Sequence, residues 1–240
     1  MVLDRPDRLN AQTPHTWAAL HEIGAGLPDA VRLVVVRAEG GSFSAGLDRA
    51  MFTVEGLPGQ PGIGALAAMP TDEADAVIRG YQEGFRWLRR ADIVSIAVVR
   101  GHAVGAGFQL ALACDLRVLA EDAQLCMAET SLGIVPDLTG TWPLVEAVGY
   151  SRALEICATG RRVGAQEAAR LGLATVVVPV ADLESATAAL VAALLAAPAD
   201  AVSETKALLR GAVGRDRDEQ ETAERAAQLR RLRAMAAGTP

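Results

Sequence analysis

The sequence is poor in aromatic residues, cysteine and histidine, and each scarcity excludes a class of protein. Aromatic residues make up only 4% of the 240 residues, so aliphatic side chains must fill the interior. The cysteines, at 114, 126 and 157, form no CxxC pair, which argues against a disulfide scaffold or a cysteine-rich zinc site. The three histidines show no metal-binding spacing. The sequence therefore predicts no metal site and a reducing cytoplasmic environment.

Basic charge and long apolar runs are also lacking. The chain has 23 Lys and Arg against 29 Asp and Glu, a formal net charge of −6, whereas nucleic-acid-binding domains are normally basic. The longest apolar stretch, residues 186–197, is well short of the roughly 20 residues that a membrane helix needs. The first eight residues carry four charges instead of the apolar segment of a signal peptide. We therefore expect a soluble protein with no nucleic-acid or membrane partner.

Apolar runs that end in glycine-rich turns predict an α/β fold. Residues 31–36 and 93–99 are rich in β-branched side chains and lead into glycine turns, which is typical of buried strands. Shorter strands are predicted at 116–119, 124–127 and 176–178. Because helical patterns alternate with these strands, the sheet is expected to be largely parallel.

Apolar residues at three-to-four spacing predict the helices. Residues 59–71, with several glycines and prolines, are predicted to leave the core and to shape or cover a pocket. A break near Pro198 leads us to divide the chain into an α/β core over 1–180 and a helical module over 181–240. The predicted helices are 72–90, 142–148, 151–159, 165–171, 182–197, 200–212 and 216–236.

Two glycine-rich loops are the most informative segments, Gly41 to Asp48 and Gly101 to Gln109. Small residues let the backbone approach a ligand, and free N–H groups at a helix start stabilise an anion. A dinucleotide fingerprint would need glycine where Leu110 stands, and no GxxxxGK[ST] loop occurs. A hydrolase GxSxG is absent too, because Ser42 stands two residues before Ser44. Taken singly, each loop is more simply explained as a tight packing turn.

Together with their flanks, the two loops resemble the crotonase superfamily of enoyl-CoA hydratases and isomerases. The resemblance spans nearly the whole chain and implies an α/β spiral of β-β-α units with a C-terminal helical trimerisation module, assembled as a homotrimer or hexamer. It implies an acyl-CoA thioester as the substrate and no separate cofactor, because coenzyme A is part of the substrate. The similar segments are Arg5 to Ala11, Phe43 to Asp48, Gly101 to Gln109, Ala113 to Asp115, Leu132 to Pro136, Thr159 to Arg161 and Ala165 to Leu173.

The resemblance also assigns roles to positions of this chain. The backbone N–H groups of Leu47 and Ala106 would form an oxyanion hole for the thioester carbonyl, and such donors favour the enolate over the neutral thioester. The residues expected to line the substrate groove are Arg8, Leu9, Ala11, Ala45, Gly46, Asp48 and Gly105.

The acid-base positions depart from the hydratase pattern. Hydratases of the family carry two glutamates, and this chain has Gln109 and Glu129 there, although an amide cannot take and return a proton near pH 7. Asp137 stands at a position that resembles that of the catalytic aspartate of dienoyl-CoA isomerases and of the isomerase that opens epoxyphenylacetyl-CoA. Apolar neighbours raise the pKa of a carboxyl group, and one carboxylate suffices to move a proton between two carbons. We therefore predict an isomerase in which Asp137 is catalytic with help from Glu129.

Two other functions remain open at this point. The chain could be a hydratase in which Glu129 works alone while Gln109 orients the water. It could also be an acyl-CoA-binding protein without chemistry, and other crotonase-type reactions such as thioester hydrolysis or dehalogenation are further options.

Structural roles also remain open for several of these residues. Asp137 could cap the helix that begins near 139–142, and Glu129 could be an ion-pair partner. His102 is predicted to be a turn or packing residue, and Arg161 to lie on a solvated turn or at the active-site rim. Only Met1 to Asp4 precede the Arg-Pro motif, where the family normally opens with a strand pair, so we expect either that an edge of the sheet is missing or that the sequence is trimmed.

Overall fold

The computed structural model describes residues 1–238, which form two sheets. All neighbouring strands of the larger sheet pair in parallel, as expected, and the strand order is β1 (Val2–Leu3), β2 (Leu33–Ala38), β3 (Val94–Val99), β5 (Leu116–Ala120) and β8 (Val176–Val178). In the smaller sheet β4 (His102–Val104) pairs in parallel with β6 (Gln124–Cys126), and β7 (Arg162–Gly164) pairs antiparallel with β6.

Ten α-helices surround the sheets within residues 1–238. They are α1 (Pro14–Ala25), α2 (Ile63–Ala67), α3 (Thr71–Arg86), α4 (Ala106–Ala113), α5 (Thr141–Val148), α6 (Tyr150–Thr159), α7 (Ala165–Arg170), α8 (Leu183–Ala196), α9 (Ala199–Ala212) and α10 (Arg217–Ala236).

Most element boundaries agree with the sequence patterns within one or two residues, and two differ for physical reasons. The strand expected to start at Val31 starts at Leu33, because the Val31 N–H closes a turn onto the Pro28 carbonyl. The helix expected over 72–90 ends as an α-helix at Arg86 and continues as a tighter 3-10 turn over Trp87–Arg89.

The edge of the larger sheet is occupied, contrary to the expectation of a missing edge. The two residues of β1 pair with Arg37 and Ala38 at the end of β2. The Met1 amino group also donates to the Val35 carbonyl at 2.8 Å. A single short strand therefore covers β2, although family members normally have a strand pair in this position.

Helix α4 lies in the centre of the core and carries one polar side chain. All eight of its residues are buried, as expected for a helix that is apolar on every side. Its polar residue, Gln109, is 1% exposed, and a buried amide must find hydrogen-bond partners within the protein. Those partners come from the segments that follow β6, so the Gln109 side chain links α4 to these segments.

The C-terminal helices contact the core in different ways. Leu183 of α8 belongs to an apolar cluster with Ile96 and Val118, so α8 covers one face of the sheet. Helix α9 is fastened by Lys206, whose ammonium donates to the Asp115 carboxylate at 2.7 Å and to the Ile93 carbonyl at 2.6 Å. The division at residues 180 and 181 stays a prediction.

Helix α10 has the predicted charge order and packs on α9. Asp216 caps its first turn and accepts from the Glu219 N–H at 2.8 Å. Near its other end, the Arg230 and Arg231 guanidinium groups bind Glu204 and Asp200 of α9.

Residues 1–238 contain neither a single membrane-crossing helix nor a metal-binding cluster of side chains. No single helix there is long and apolar enough to cross a membrane, and only the pair 180–196 and 199–212, bent by 101°, meets that test by length and composition. No group of three or more His, Cys, Asp or Glu side chains in the same range is arranged to hold a metal ion.

Candidate active site

A cavity of about 690 Å³ lies between the two glycine-rich loops and the segment that follows β6. This volume is typical of small-molecule sites. The structure brings all of the sequence-predicted site residues to its wall, although their individual roles stay predictions. They are Arg8, Leu9, Ala11, Ala45, Gly46, Leu47, Asp48, Gly105, Ala106, Gln109, Glu129 and Asp137.

The backbone groups on either side of Leu47 form hydrogen bonds with Gln12, but the N–H of Leu47 does not. The Gln12 N–H donates to the Gly46 carbonyl at 2.7 Å, and the Asp48 N–H donates to the Gln12 carbonyl at 2.8 Å, which makes a parallel bridge. The residue between two such bonds directs its own N–H away from the partner strand. Within residues 1–238 the Leu47 N–H has no acceptor, so it is available to a ligand.

The second predicted donor, Ala106, is the first residue of α4. The first N–H groups of a helix have no acceptor within that helix, and the preceding residue Gly105 has φ +51°. Gly46 has φ +89°, and a Cβ there would lie 2.5 Å from the Val104 carbonyl oxygen and 3.6 Å from the Ala106 nitrogen. The absence of a side chain at Gly46 therefore lets the two loops meet and brings both donors to one place.

A buried hydrogen-bond network holds the first loop. The Ser44 hydroxyl donates to the Asn10 carbonyl at 2.8 Å and accepts from the Gly46 N–H at 3.2 Å and from Gln12 Nε2 at 3.1 Å. The side-chain oxygen of Gln12, Oε1, accepts from the Trp17 ring nitrogen at 2.9 Å. The network ties the loop to α1, a helix that the sequence patterns did not predict.

The orientation of the Gln109 amide is fixed by its partners. Its oxygen accepts from the Leu138 N–H at 2.8 Å and from the Gly140 N–H at 3.2 Å, so its nitrogen must face the other way. That nitrogen donates to Glu129 Oε1 at 2.7 Å. Gln109 thus acts first as a bridge between Glu129 and the loop before α5.

Glu129 begins the 3-10 turn Glu129–Leu132 and is 6% exposed. Burial raises the pKa of its carboxyl, the hydrogen bond from Gln109 opposes that shift, and the charge of Asp137 adds to it. The interpretation of Glu129 as an ion-pair partner is wrong, because no cation bonds to it within residues 1–238. Its second oxygen, Oε2, is buried with no hydrogen-bond partner in that part of the chain.

Asp137 is half-buried on the same cavity, and burial raises the pKa of its carboxyl above the ordinary value. The alternative that Asp137 caps α5 is wrong, because the residue at the cap position is Gly140 and no side chain caps that helix. The carboxyl groups of Glu129 and Asp137 therefore both lie at the cavity, and both pKa values are shifted in the direction that suits acid-base chemistry.

Other predicted residues have structural partners. The Asp48 carboxylate accepts from Arg5 at 3.1 Å and from the Ala50 N–H at 3.1 Å, so it holds the loop as well as lining the cavity. His102 lies in strand β4, and its Nδ1 is 2.9 Å from the Arg162 guanidinium. Arg161 pairs with Glu155 and Glu167 and is not part of the cavity wall.

The sequence patterns missed part of the wall. Some of the additional lining residues lie within or beside segments that the sequence had marked, whereas Trp17 and Phe52 reach the wall only through long-range packing. The additional residues are Asp7, Trp17, Arg49, Phe52, Val104, Ala128, Leu132, Ile134 and Leu138.

Comparisons with known proteins agree with this geometry. The family model described as Enoyl-CoA hydratase/isomerase matches residues 1–235. The probable enoyl-CoA hydratase of Rhodobacter capsulatus is 33% identical over 210 residues, covering 86% of this chain and 75% of that protein. The 4-chlorobenzoyl coenzyme A dehalogenase-2 of an Arthrobacter species is 33% identical over 202 residues, covering 81% and 67%.

Solved structures show the same fold. A Thermobifida fusca protein assigned to the enoyl-CoA hydratases, crystallised with acetoacetyl-CoA, superposes with a TM-score of 0.93 at 56% identity, covering 96% of this chain and 89% of that one. The α/β fold predicted from the motifs is therefore confirmed as that of crotonase-type proteins. With a matching family model over nearly its whole length, the chain belongs to the enoyl-CoA hydratase/isomerase family of acyl-CoA enzymes.

Proposed function

We propose that this enzyme shifts the double bond of an enoyl-CoA thioester and that Asp137 carries the proton. The bonding of Gln109 carries the proposal. Its amide oxygen is committed to two backbone N–H groups and its nitrogen to Glu129, and an amide cannot exchange a proton near pH 7. Besides Glu129, the carboxyl group at the cavity whose pKa burial raises is that of Asp137.

The proposed reaction moves one proton and leaves the mass of the substrate unchanged. The Asp137 carboxylate removes a proton from C-2 of a 3-enoyl thioester, and the electron pair moves into the thioester carbonyl to give a dienolate. The N–H groups of Leu47 and Ala106 stabilise the negative charge on that oxygen. When the proton returns at C-4, the double bond lies between C-2 and C-3. Coenzyme A stays attached throughout, so no further cofactor takes part.

The test is a panel of 2-enoyl and 3-enoyl thioesters followed by mass spectrometry and ultraviolet absorbance. We expect an absorbance change at constant mass. Asp137→Asn should lower that turnover by at least about 100-fold, since acid-base catalysis typically contributes this much. Acyl-CoA binding, measured by calorimetry, should survive, and the matched control is Glu129→Gln. Unchanged isomerisation in Asp137→Asn would overturn the proposal.

Hydration by Glu129 is the second candidate, and one observation favours it. The buried Oε2 of Glu129 lacks a partner in residues 1–238 and could hold an attacking water. Several relatives are also named as enoyl-CoA hydratases. A gain of one water that is lost in Glu129→Gln but kept in Asp137→Asn would establish this candidate. Thioester binding without any turnover would instead favour a binding protein.

We also propose that the chain assembles as a homotrimer or hexamer in the cytoplasm. Three exposed apolar side chains, those of Trp142, Leu209 and Val213, line a second cavity of about 890 Å³ between α5 and α9. Large exposed apolar patches are typical of surfaces that another chain covers. Light scattering at micromolar concentration tests the assembly, and a stable monomer would contradict it. The acidic net charge and the three cysteines without a CxxC pair support a cytoplasmic location, which cell fractionation tests.

A further inference from the structure

The peptide group between Asp137 and Leu138 is held from two sides by two glutamines. Gln82 of α3 donates from Nε2 to the Asp137 carbonyl at 2.8 Å. Gln109 of α4 accepts from the Leu138 N–H at 2.8 Å. The carbonyl and the N–H belong to the same peptide plane, so the two bonds together fix both its position and its tilt. Gln82 does not line the cavity, and no sequence motif marked it.

The carboxyl groups of Glu129 and Asp137 are held differently. Glu129 is held through its own carboxylate, by Gln109. No other residue in the described range donates a side-chain or backbone hydrogen bond to the Asp137 carboxylate. The direction of the Asp137 side chain therefore depends on the backbone from which it extends. Of the two bonds that hold this peptide, the one from Gln82 is made to the carbonyl of Asp137 itself.

We propose that Gln82 is a positioning residue that keeps the Asp137 carboxylate aimed at the reacting carbons. The proposal rests on the isomerase function given above. The precision matters because displacement of a catalytic group by about 1 Å can cost roughly 100-fold in rate. Gln82 itself touches neither substrate nor the reacting atoms and acts only through Asp137.

Helix α3 supplies a rigid base for this bond. Tyr81, the neighbouring residue, packs against Trp17 of α1 with ring centroids 4.8 Å apart and ring planes tilted by 59°, and Trp17 lines the cavity. Burial raises the pKa of the Tyr81 hydroxyl, and the charge of Asp137 raises it further, which places Tyr81 within electrostatic reach of that carboxylate. The charge of Asp137 thus raises the pKa values of Tyr81 and Glu129, which lie on elements packed around it.

The kinetic test uses Gln82→Met, which keeps the side-chain length and removes the donor. We expect kcat for isomerisation to fall about tenfold while KM changes by less than twofold. The matched control is Glu83→Met, because Glu83 lies next on the same helix and pairs with Arg86 at 2.9 Å on the surface. Gln82→Glu, which also lacks the donor, is the second variant if the first does not fold. A rise in KM alone, or equal losses in the control, would overturn the proposal.

A second readout needs no turnover and separates this proposal from the proposed function. Hydrogen exchange at the Leu138 amide should become several-fold faster in Gln82→Met, because the peptide is then held from one side only. An unchanged exchange rate would overturn the proposal that Gln82 holds this peptide. If the wild-type enzyme does not isomerise, faster exchange in Gln82→Met would still support the role of Gln82 and would overturn the isomerase function. Where isomerisation is present, adding Gln82→Met to Asp137→Asn should cost little more than Asp137→Asn alone.

Discussion

The Gln109 amide nitrogen lies 2.7 Å from Glu129 Oε1 inside a core where both side chains are almost completely buried. A neutral donor at this distance stabilises the ionised form of Glu129 without competing for its proton. A second carboxyl group in the same place would have to share a proton with Glu129, since two like charges so close cannot both be ionised. Whether position 109 carries an amide nitrogen or a carboxyl oxygen therefore decides whether Glu129 has to share a proton.

Gln109→Glu is the direct test of that relationship. A carboxylate can still accept from the Leu138 and Gly140 N–H groups, and it supplies the second acid-base group that hydration needs. We expect water addition to an enoyl thioester to rise, measured as a gain of 18 mass units. Gln109→Met, which loses all three hydrogen bonds, is the control and should lower both stability and turnover. Rapid hydration by wild type that Gln109→Glu leaves unchanged would contradict the argument.

The raised pKa values predict a pH profile. As a base, Asp137 works only when ionised, so activity should increase with pH through a value above the usual Asp range of about 3.9. Burial is the cause of the shift. Initial rates measured between pH 4 and pH 8 would show this limb, and Asp137→Asn should abolish it. A limb at the ordinary carboxyl pKa would contradict the prediction.

The raised pKa of Asp137 also predicts that its carboxyl group lowers the stability of the fold as pH rises, while activity increases. A carboxyl whose pKa is higher in the folded than in the unfolded chain favours folding at low pH and opposes it as pH rises past its unfolded value. Replacing Asp137 with Asn removes this cost, so the variant should melt at a higher temperature than wild type at pH 7. The difference should shrink toward pH 4. A lower melting temperature at pH 7 would show that the carboxylate is stabilising.

Gly46→Ala should damage the oxyanion loop. The new Cβ would lie 2.5 Å from the Val104 carbonyl oxygen at a φ of +89°, and such strain costs on the order of 1–3 kcal/mol. We expect lower unfolding free energy and lower kcat. Gly41→Ala is the matched control, because a Cβ there meets nothing within 4 Å and its φ is not positive. Chemical denaturation and initial rates measure both variants, and equal effects at 41 and 46 would contradict the argument.

Ser44→Ala tests the network behind the same loop. The change leaves the Gly46 N–H and the Gln12 amide without their shared acceptor, and unpaired buried groups cost about 1–3 kcal/mol. We expect a loss of stability in that range and a fall in kcat, measured by denaturation and by steady-state kinetics. The buried Ser42, whose side chain makes no hydrogen bond in the described chain, gives Ser42→Ala as a near-neutral control. Equal losses of stability in the two variants would show that the Ser44 hydroxyl does not support the loop.

Sequence reasoning located the cavity wall better than its supports. The two glycine-rich loops are visible as local motifs, the family resemblance singles out Glu129 and Asp137, and all of them reach one cavity. Helix α1 was not predicted, although a proline at its start and the Thr13 and Thr16 capping box are present in the sequence. The bond from Gln82 to Asp137 spans 55 residues and depends on how α3 packs, which no local spacing encodes.

The pairing of Gln12 around Leu47 has a consequence for how this site can change over evolutionary time. The donor it leaves free is a main-chain atom, so only proline at position 47 would delete it. Every other substitution there alters the shape of the cavity and leaves the proposed oxyanion donor in place. Selection can therefore change the cavity wall while this main-chain donor is inherited intact, which fits relatives that are named as a probable enoyl-CoA hydratase and as a dehalogenase.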